Sequence, residues 1–347
     1  MERLKAIFKP GKKQLSTPFP DGVEVLHDCP DAAVDICFVH GLTGNRDSTW
    51  TAYGQSTPWP KTLLPPRLNN ARILTYGYDA YMVRKTVAGA NRLLNHATNL
   101  LNDLTTDRAY CNASSRPLIF VTHSLGGLVC KEAILLSRNN PEPHLRDVFH
   151  CTRGIVFMGT PHKGSWMADW VRIPASALGF VKSTNKSLLK ILETDDQFLE
   201  SIQVGFWSMI REQQIVGRGI EVTCFFEELP LPVVGNVVSK ESATLDGYSS
   251  FSIHANHSDM VKFGSAEDNG FKRLLGELRR WELQIRNSVT SQTTRSMENA
   301  QVDKPVSSSF NNYGPGPQFN NPMGTQNIDM NGGNQFLGSF SGPVHFG

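Results

Sequence analysis

What the chain lacks bounds what it can be. Its 347 residues carry a formal net charge of only +2, too little one-sided charge for a nucleic-acid surface. No stretch is long and apolar enough to span a bilayer as a helix. Basic residues gather early (Arg3, Lys5, Lys9, Lys12, Lys13) with no apolar run behind them. That pattern argues for a flexible basic leader over 1–19 rather than a secretory signal. There is no P-loop, no dinucleotide-binding glycine fingerprint, no H-x-x-x-H pair and no Cys/His cluster of metal-ligand spacing. Neither a cofactor nor a metal is expected. The cysteines, at 29, 37, 111, 130, 151 and 224, include no C-x-x-C pair. Cys37, Cys130 and Cys224 sit in apolar segments, where a thiol packs as a small hydrophobe. Reduced thiols and a cytoplasmic location are the resulting expectations.

Apolar residues are also scarce for a wholly globular chain, at 39%, so a polar segment must account for the deficit. The composition changes after Asn287, and beyond Lys304 the only fully charged side chain is Asp329. Gly, Asn, Gln, Ser and Phe dominate there. Such a segment cannot bury enough apolar area to offset chain entropy, so 288–347 reads as a disordered, low-complexity tail.

What is present between the two ends, over 20–287, is alternation. Strand-like runs occupy 22–29, 33–40, 71–78, 117–123, 154–160, 220–228 and 249–255. Several are apolar without a period of two, as strands covered on both faces should be. Helical spacing appears over 89–107, 125–137 and 268–287. Together they predict an α/β fold with a mainly parallel sheet and helices on both faces. Residues 165–215 break the rhythm with amphipathic, Trp- and Leu-rich material (Trp166, Trp170, Leu178, Phe180, Trp207). This insertion reads either as a pair of packing helices or as a lid over a site.

The chemistry centres on "PLIFVTHSLGGLVCK". It carries Ser124 from a strand end directly into a helix start, the placement that exposes a nucleophilic serine at a sheet edge. Gly126 supplies the small residue such a turn needs, while Thr122 stands where glycine is usual. The strand ending "FVHGLTGN" places His40 and Gly41 where an oxyanion hole would form. The Leu42 and Leu125 amides are its candidate donors. "SIHANHSDMVKFGS" offers His257 as the base, on a loop past a late strand, with His254 the lesser candidate. "VTCFFEELP" ends in Glu227 and Glu228, either of which could orient an imidazole. The chain order of serine, acid and histidine matches the α/β-hydrolase arrangement.

These segments, with "ILTYGYDA", "GIVFMGTPHKGS" and "SKESATLDGY", resemble the lipase-like serine hydrolases of fungi. Those are related to the serine-active-site-containing proteins and, more distantly, to inositol deacylases. The resemblance covers roughly 20–285. It implies the α/β-hydrolase fold, an esterase or lipase activity on apolar esters, and the roles of nucleophile, acid and base for Ser124, Glu227 and His257. It favours Glu227 over Glu228. The family's proline in "VVP-x-x-SA" is replaced here by Ser239. The tail "GTQNIDMNGGNQFLGSFSGPVHFG" resembles motifs that end some fungal cell-death effectors. This second resemblance implies amyloid-type self-assembly, templated by an NLR-type receptor; hydrolase and tail together suggest an activity released when assembled tails cluster the domains on a membrane. Spaced Asn, Gln and Phe with little charge suit cross-β ladders. The competing expectation is an inactive hydrolase scaffold whose tail alone carries the function.

Overall fold

The computed structural model describes residues 20–41, 44–79, 89–162, 196–232 and 235–302. The leader at 1–19, Leu42, the first part of the 165–215 insertion and the tail from 303 onward lie outside the described residues. The chain divides into a compact unit, Met1–Thr290, and a second, Ser291–Gly347.

Seven strands form one sheet: β1 (Gly22–His27), β2 (Val34–Val39), β3 (Ala71–Gly77), β4 (Leu118–His123), β5 (Thr152–Met158), β6 (Glu221–Glu227) and β7 (Ser249–Ile253). Their order is β1-β3-β2-β4-β5-β6-β7, and every pairing is parallel except β1 with β3. The unbroken apolar runs become β2, β3 and β4, all of whose residues are buried. Edge strands β1 and β7 are partly exposed, and water on one side tolerates their polar residues.

The helices are α1 (Trp59–Leu63), α2 (Gly89–Tyr110), α3 (Gly126–Arg138), α4 (Pro143–Cys151), α5 (Asp196–Ile215), α6 (Lys240–Ala243) and α7 (Asn269–Val302). Alternate strand residues feed two cores. Cys37, Val39, Phe120, Phe157 and Cys224 pack with α2, α3, α4 and α5. Ile36, Phe38, Val121, Met158 and Phe225 pack with Trp50, Trp59 and α7. This is the α/β-hydrolase fold, a mainly parallel sheet with helices on both faces. Helix α4 was not evident from sequence. The part of the insertion that is described, α5, buries Ile202, Phe206, Met209 and Ile210 against the first core. Helix α7 continues to Val302, past the change of composition at Asn287. No Gly or Pro occurs between Gly276 and Pro305, so nothing in the backbone stops propagation there.

Parallel register sets the carboxyl ends of the central strands at one edge. Val39 pairs with Thr122, Thr122 with Phe157, and Glu227 with Ile253. Gly41, Ser124, Gly159 and Glu227 therefore meet at the same side of the sheet, where open α/β sheets bind ligands.

Candidate active site

Ser124 sits on the turn between β4 and α3 with φ of 55°. A left-handed L-residue costs roughly 1–3 kcal/mol, so the surroundings must impose it. They do so through hydrogen bonds. The Ser124 N–H donates to the Met158 carbonyl at 2.9 Å, and its own carbonyl accepts from Gly127 N–H and Thr160 Oγ1 at 3.1 Å each. The turn is also crowded. A β-carbon on Gly126 would lie 2.3 Å from the His40 carbonyl oxygen, and one on Gly127 2.3 Å from Thr160 Oγ1. A β-carbon on Gly41 would lie 2.8 Å from Ser124 Cβ. Glycine at these positions is what lets β2, β4 and β5 bring their ends together. Thr122 fits in place of the usual glycine because its hydroxyl donates to the Val156 carbonyl at 3.0 Å on the neighbouring strand. The Ser124 Oγ is buried and has no hydrogen-bond partner among the described residues.

His257 and Glu227 meet. His257 Nδ1 lies 2.6 Å from Glu227 Oε2, and both side chains are almost fully buried. Glu227 Oε1 accepts from the amides of Val237 and Val238. A carboxylate only accepts, so Nδ1 carries the proton that faces Glu227 and Nε2 is left as the nitrogen that can act as base. The His257 ring lies against β5: a β-carbon on Gly159, whose φ is 58°, would come within 2.8 Å of its Cε1. Ser124 is tied to Met158, the residue before that glycine. Both side chains are thus referred to the same turn.

The alternatives are occupied elsewhere. Glu228 is exposed and pairs with His254 at 2.9 Å; hydrogen bonds from Ser252 and His254 hold its carboxyl below the usual range. His254 projects into solvent rather than packing. Asp259, a carboxylate two residues past His257, accepts from Tyr53 Oη at 2.8 Å and from Asn256 Nδ2 at 2.9 Å.

His40 is structural. Tyr78 N–H donates to His40 Nε2 at 3.1 Å, Nδ1 lies 2.7 Å from the Gly41 carbonyl, and the two rings stack at 4.4 Å. Its proton therefore sits on Nδ1, and burial pushes its pKa down to about 4, so it pins the Gly41 turn as a neutral ring. Leu125 opens α3, and its N–H is one of the helix's first amides, which no helical carbonyl can satisfy. Among the described residues no cluster of His, Cys, Asp or Glu could hold a metal ion.

Comparison with known proteins runs along the same segments. Residues 35–200, just under half of the chain, match the family model described as "Putative serine esterase (DUF676)". Residues 307–347 match the model described as "Sigma domain on NACHT-NTPases". The chain is similar to Protein SERAC1 of Mus musculus, at 27% identity over 72% of this chain and 40% of that one. The human protein is 26% identical with the same coverage. The chain thus spans about 40% of the length of the curated relatives it matches, and these relatives are animal proteins. Among solved structures it resembles the peroxisomal alpha-beta-hydrolase Lpx1 of Saccharomyces cerevisiae, with 12% identity, a TM-score of 0.40, and 78% and 87% of the two chains covered. It also resembles a haloalkane dehalogenase variant, DbeA-M1, from Bradyrhizobium elkanii, with 10% identity, a TM-score of 0.43, and 78% and 95% covered.

Sequence reading passed over three buried polar residues around this site. His123 ends a strand, Lys131 lies in an apolar helix and His162 follows the turn after β5, and their side chains reach residues far away in sequence. A charged or imidazole side chain in an otherwise apolar run is the signal that marks them.

Proposed function

We propose that the chain is a serine hydrolase of carboxylic esters. The observation that carries this reading is the placement at one sheet edge of Ser124, held at positive φ on a strand-to-helix turn, and a buried His257–Glu227 couple. The match to a serine-esterase family model over 35–200 supports it. Ser124 Oγ attacks the acyl carbon while His257 Nε2 takes the hydroxyl proton. The carbonyl oxygen becomes an oxyanion facing the Leu125 amide, with the Leu42 amide as second donor. The tetrahedral adduct collapses, the C–O bond to the alcohol breaks, and His257 returns its proton to that alcohol. Water then loses a proton to His257 and attacks the acyl-enzyme, releasing the acid and restoring Ser124. Glu227 holds the tautomer that makes Nε2 the base. Losing one oxyanion donor costs about a hundredfold or more.

Within this class we favour a lipid or other apolar ester as substrate, on the strength of the Trp- and Leu-rich insertion. The tail's match to a domain model named for NACHT-NTPases supports a second module. In this reading the tail self-assembles and engages an NLR-type receptor, and clustering brings a cytoplasmic hydrolase to a membrane surface as a cell-death or incompatibility effector. The test of the enzymatic core is labelling by a fluorophosphonate, wild type beside Ser124→Ala and His257→Ala. Labelling of the wild type that both substitutions abolish in folded protein is the expected result. A folded wild type that stays unlabelled with vesicles present refutes the hydrolase and leaves the scaffold.

A further inference from the structure

We propose that His123 is a positioning residue that clamps the loop of the general base to the nucleophile turn. The proposal rests on the hydrolase reading and adds a residue to it. His123 is the last residue of β4 and the chain neighbour of Ser124. Its Nε2 lies 3.0 Å from the carbonyl oxygen of His257, across 134 positions of sequence. A carbonyl can only accept, so Nε2 carries the proton and donates it. The two imidazole rings sit 4.9 Å apart at 38°, close enough that one cannot shift without the other.

The same ring abuts the third segment of the site. With its proton on Nε2, His123 has Nδ1 as an acceptor, and Nδ1 lies 3.1 Å from where a β-carbon on Gly41 would stand. One imidazole therefore bonds to the base loop and lies beside the Gly41 turn, from a position covalently joined to the nucleophile. Burial and the neighbouring His257 hold its pKa well below the usual imidazole value. A ring kept neutral can serve as donor on one side and acceptor on the other without placing a second cation beside His257, where an imidazolium forms during turnover. His257 has Glu227 to orient its ring, but that bond fixes only the side chain. The His123 bond fixes the backbone from which the ring projects.

Three measurements test this. In 15N-labelled wild type the His123 ring should show a protonated Nε2 and an unprotonated Nδ1; the opposite tautomer overturns the proposal with no variant needed. His123→Phe keeps the ring and removes the donor, and should lower kcat about ten- to a hundredfold, the penalty of a slightly misplaced catalytic group, with KM unchanged. His123→Gln places an amide N–H near the former Nε2 and should restore most of the loss. The downfield proton of the Glu227–His257 bond should shift in His123→Phe and return in His123→Gln. Folded His123→Phe with unchanged kcat and an unshifted proton overturns the proposal. Failure of the hydrolase reading would show separately, as absent fluorophosphonate labelling of wild type, while the proton resonance still decides whether His123 positions His257.

Discussion

Lys131 offers a sharp test of how this core is built. It lies in α3, fully buried on the sheet side. Its Nζ is 2.7 Å from His162 Nδ1 and donates to Gln203 Oε1 at 2.6 Å. The rings of Phe157, Phe206 and Trp207 surround it at 4.9, 5.3 and 5.3 Å. Burial pushes its pKa down to about 7, whereas an unfolded lysine titrates near 10.4. Between those values the unfolded chain binds one more proton than the folded one. Stability from this group therefore rises with pH, by about 1.4 kcal/mol per unit, and is flat below the lower and above the upper value. From pH 7, where the folded lysine is already half neutral, to pH 9 the gain is about 2 kcal/mol. The aromatic faces favour the ammonium, and each unit by which they raise the folded value removes about 1.4 kcal/mol from the window. The neighbouring Cys224 thiol, pushed up to about 12 by burial, stays protonated throughout. The assay is urea unfolding of wild type and Lys131→Met across this range, repeated with His162→Asn in both to remove the imidazole from the comparison. The difference between the two stabilities should grow with pH by about 2–3 kcal/mol. Parallel curves would refute a neutral buried lysine and indicate an ammonium held by rings and amide.

Other perturbations follow from the same contacts. Glu227→Gln removes the carboxylate that fixes the His257 tautomer and should lower kcat by about 10³- to 10⁴-fold, while Glu228→Gln, at an exposed carboxylate bonded to His254 and Ser252, should leave steady-state kinetics unchanged. Gly126→Ala drives a methyl into the backbone carbonyls of His40 and Val39, at 2.3 and 2.7 Å; neither can yield, so thermal melting should show a loss of about 1–3 kcal/mol or more, with fluorophosphonate labelling lost as well. Truncation after Lys304 should preserve esterase turnover and abolish dye-binding fibres; loss of both would mean that tail and hydrolase are not separable modules.

The fold was legible because its strands are buried on both faces. Runs such as "AVDICFVH" and "PLIFVTH" have no polar alternation to misread, and each became a fully buried strand. Helix α4 was not legible, because nine residues with only Val148, Phe149 and Cys151 buried leave too short a pattern. The end of α7 was obscured for the opposite reason: composition reports how apolar a segment is, and a helix free of Gly and Pro can run on past a change of composition. The antiparallel pairing of β1 depends on a partner chosen through tertiary contact, and no local spacing encodes it.

At the site, chain order draws attention to Ser124 and His257, but the choice of acid turns on a difference that no composition carries. Glu227 and Glu228 are adjacent and chemically alike. Adjacent residues leaving a strand point in opposite directions, and here one reaches the buried amides of Val237 and Val238 while the other reaches water. The same limit hid His123, Lys131 and His162. Their types are visible in the sequence, but what each does is set by a carbonyl, an amide and an amine 134, 72 and 31 positions away. Those long-range bonds join the turn after β4 to the base loop, and α3 to α5 and the turn after β5. A serine hydrolase needs its nucleophile strained, its base aimed and its oxyanion donors fixed at once. In the hydrolase proposed above, the strand ends place Gly41, Ser124 and Glu227, and His123 ties the turn after β4 to the loop of His257. Substitution of His123 should therefore alter turnover before it alters the fold, the reverse of what substitution of the apolar strand residues should do.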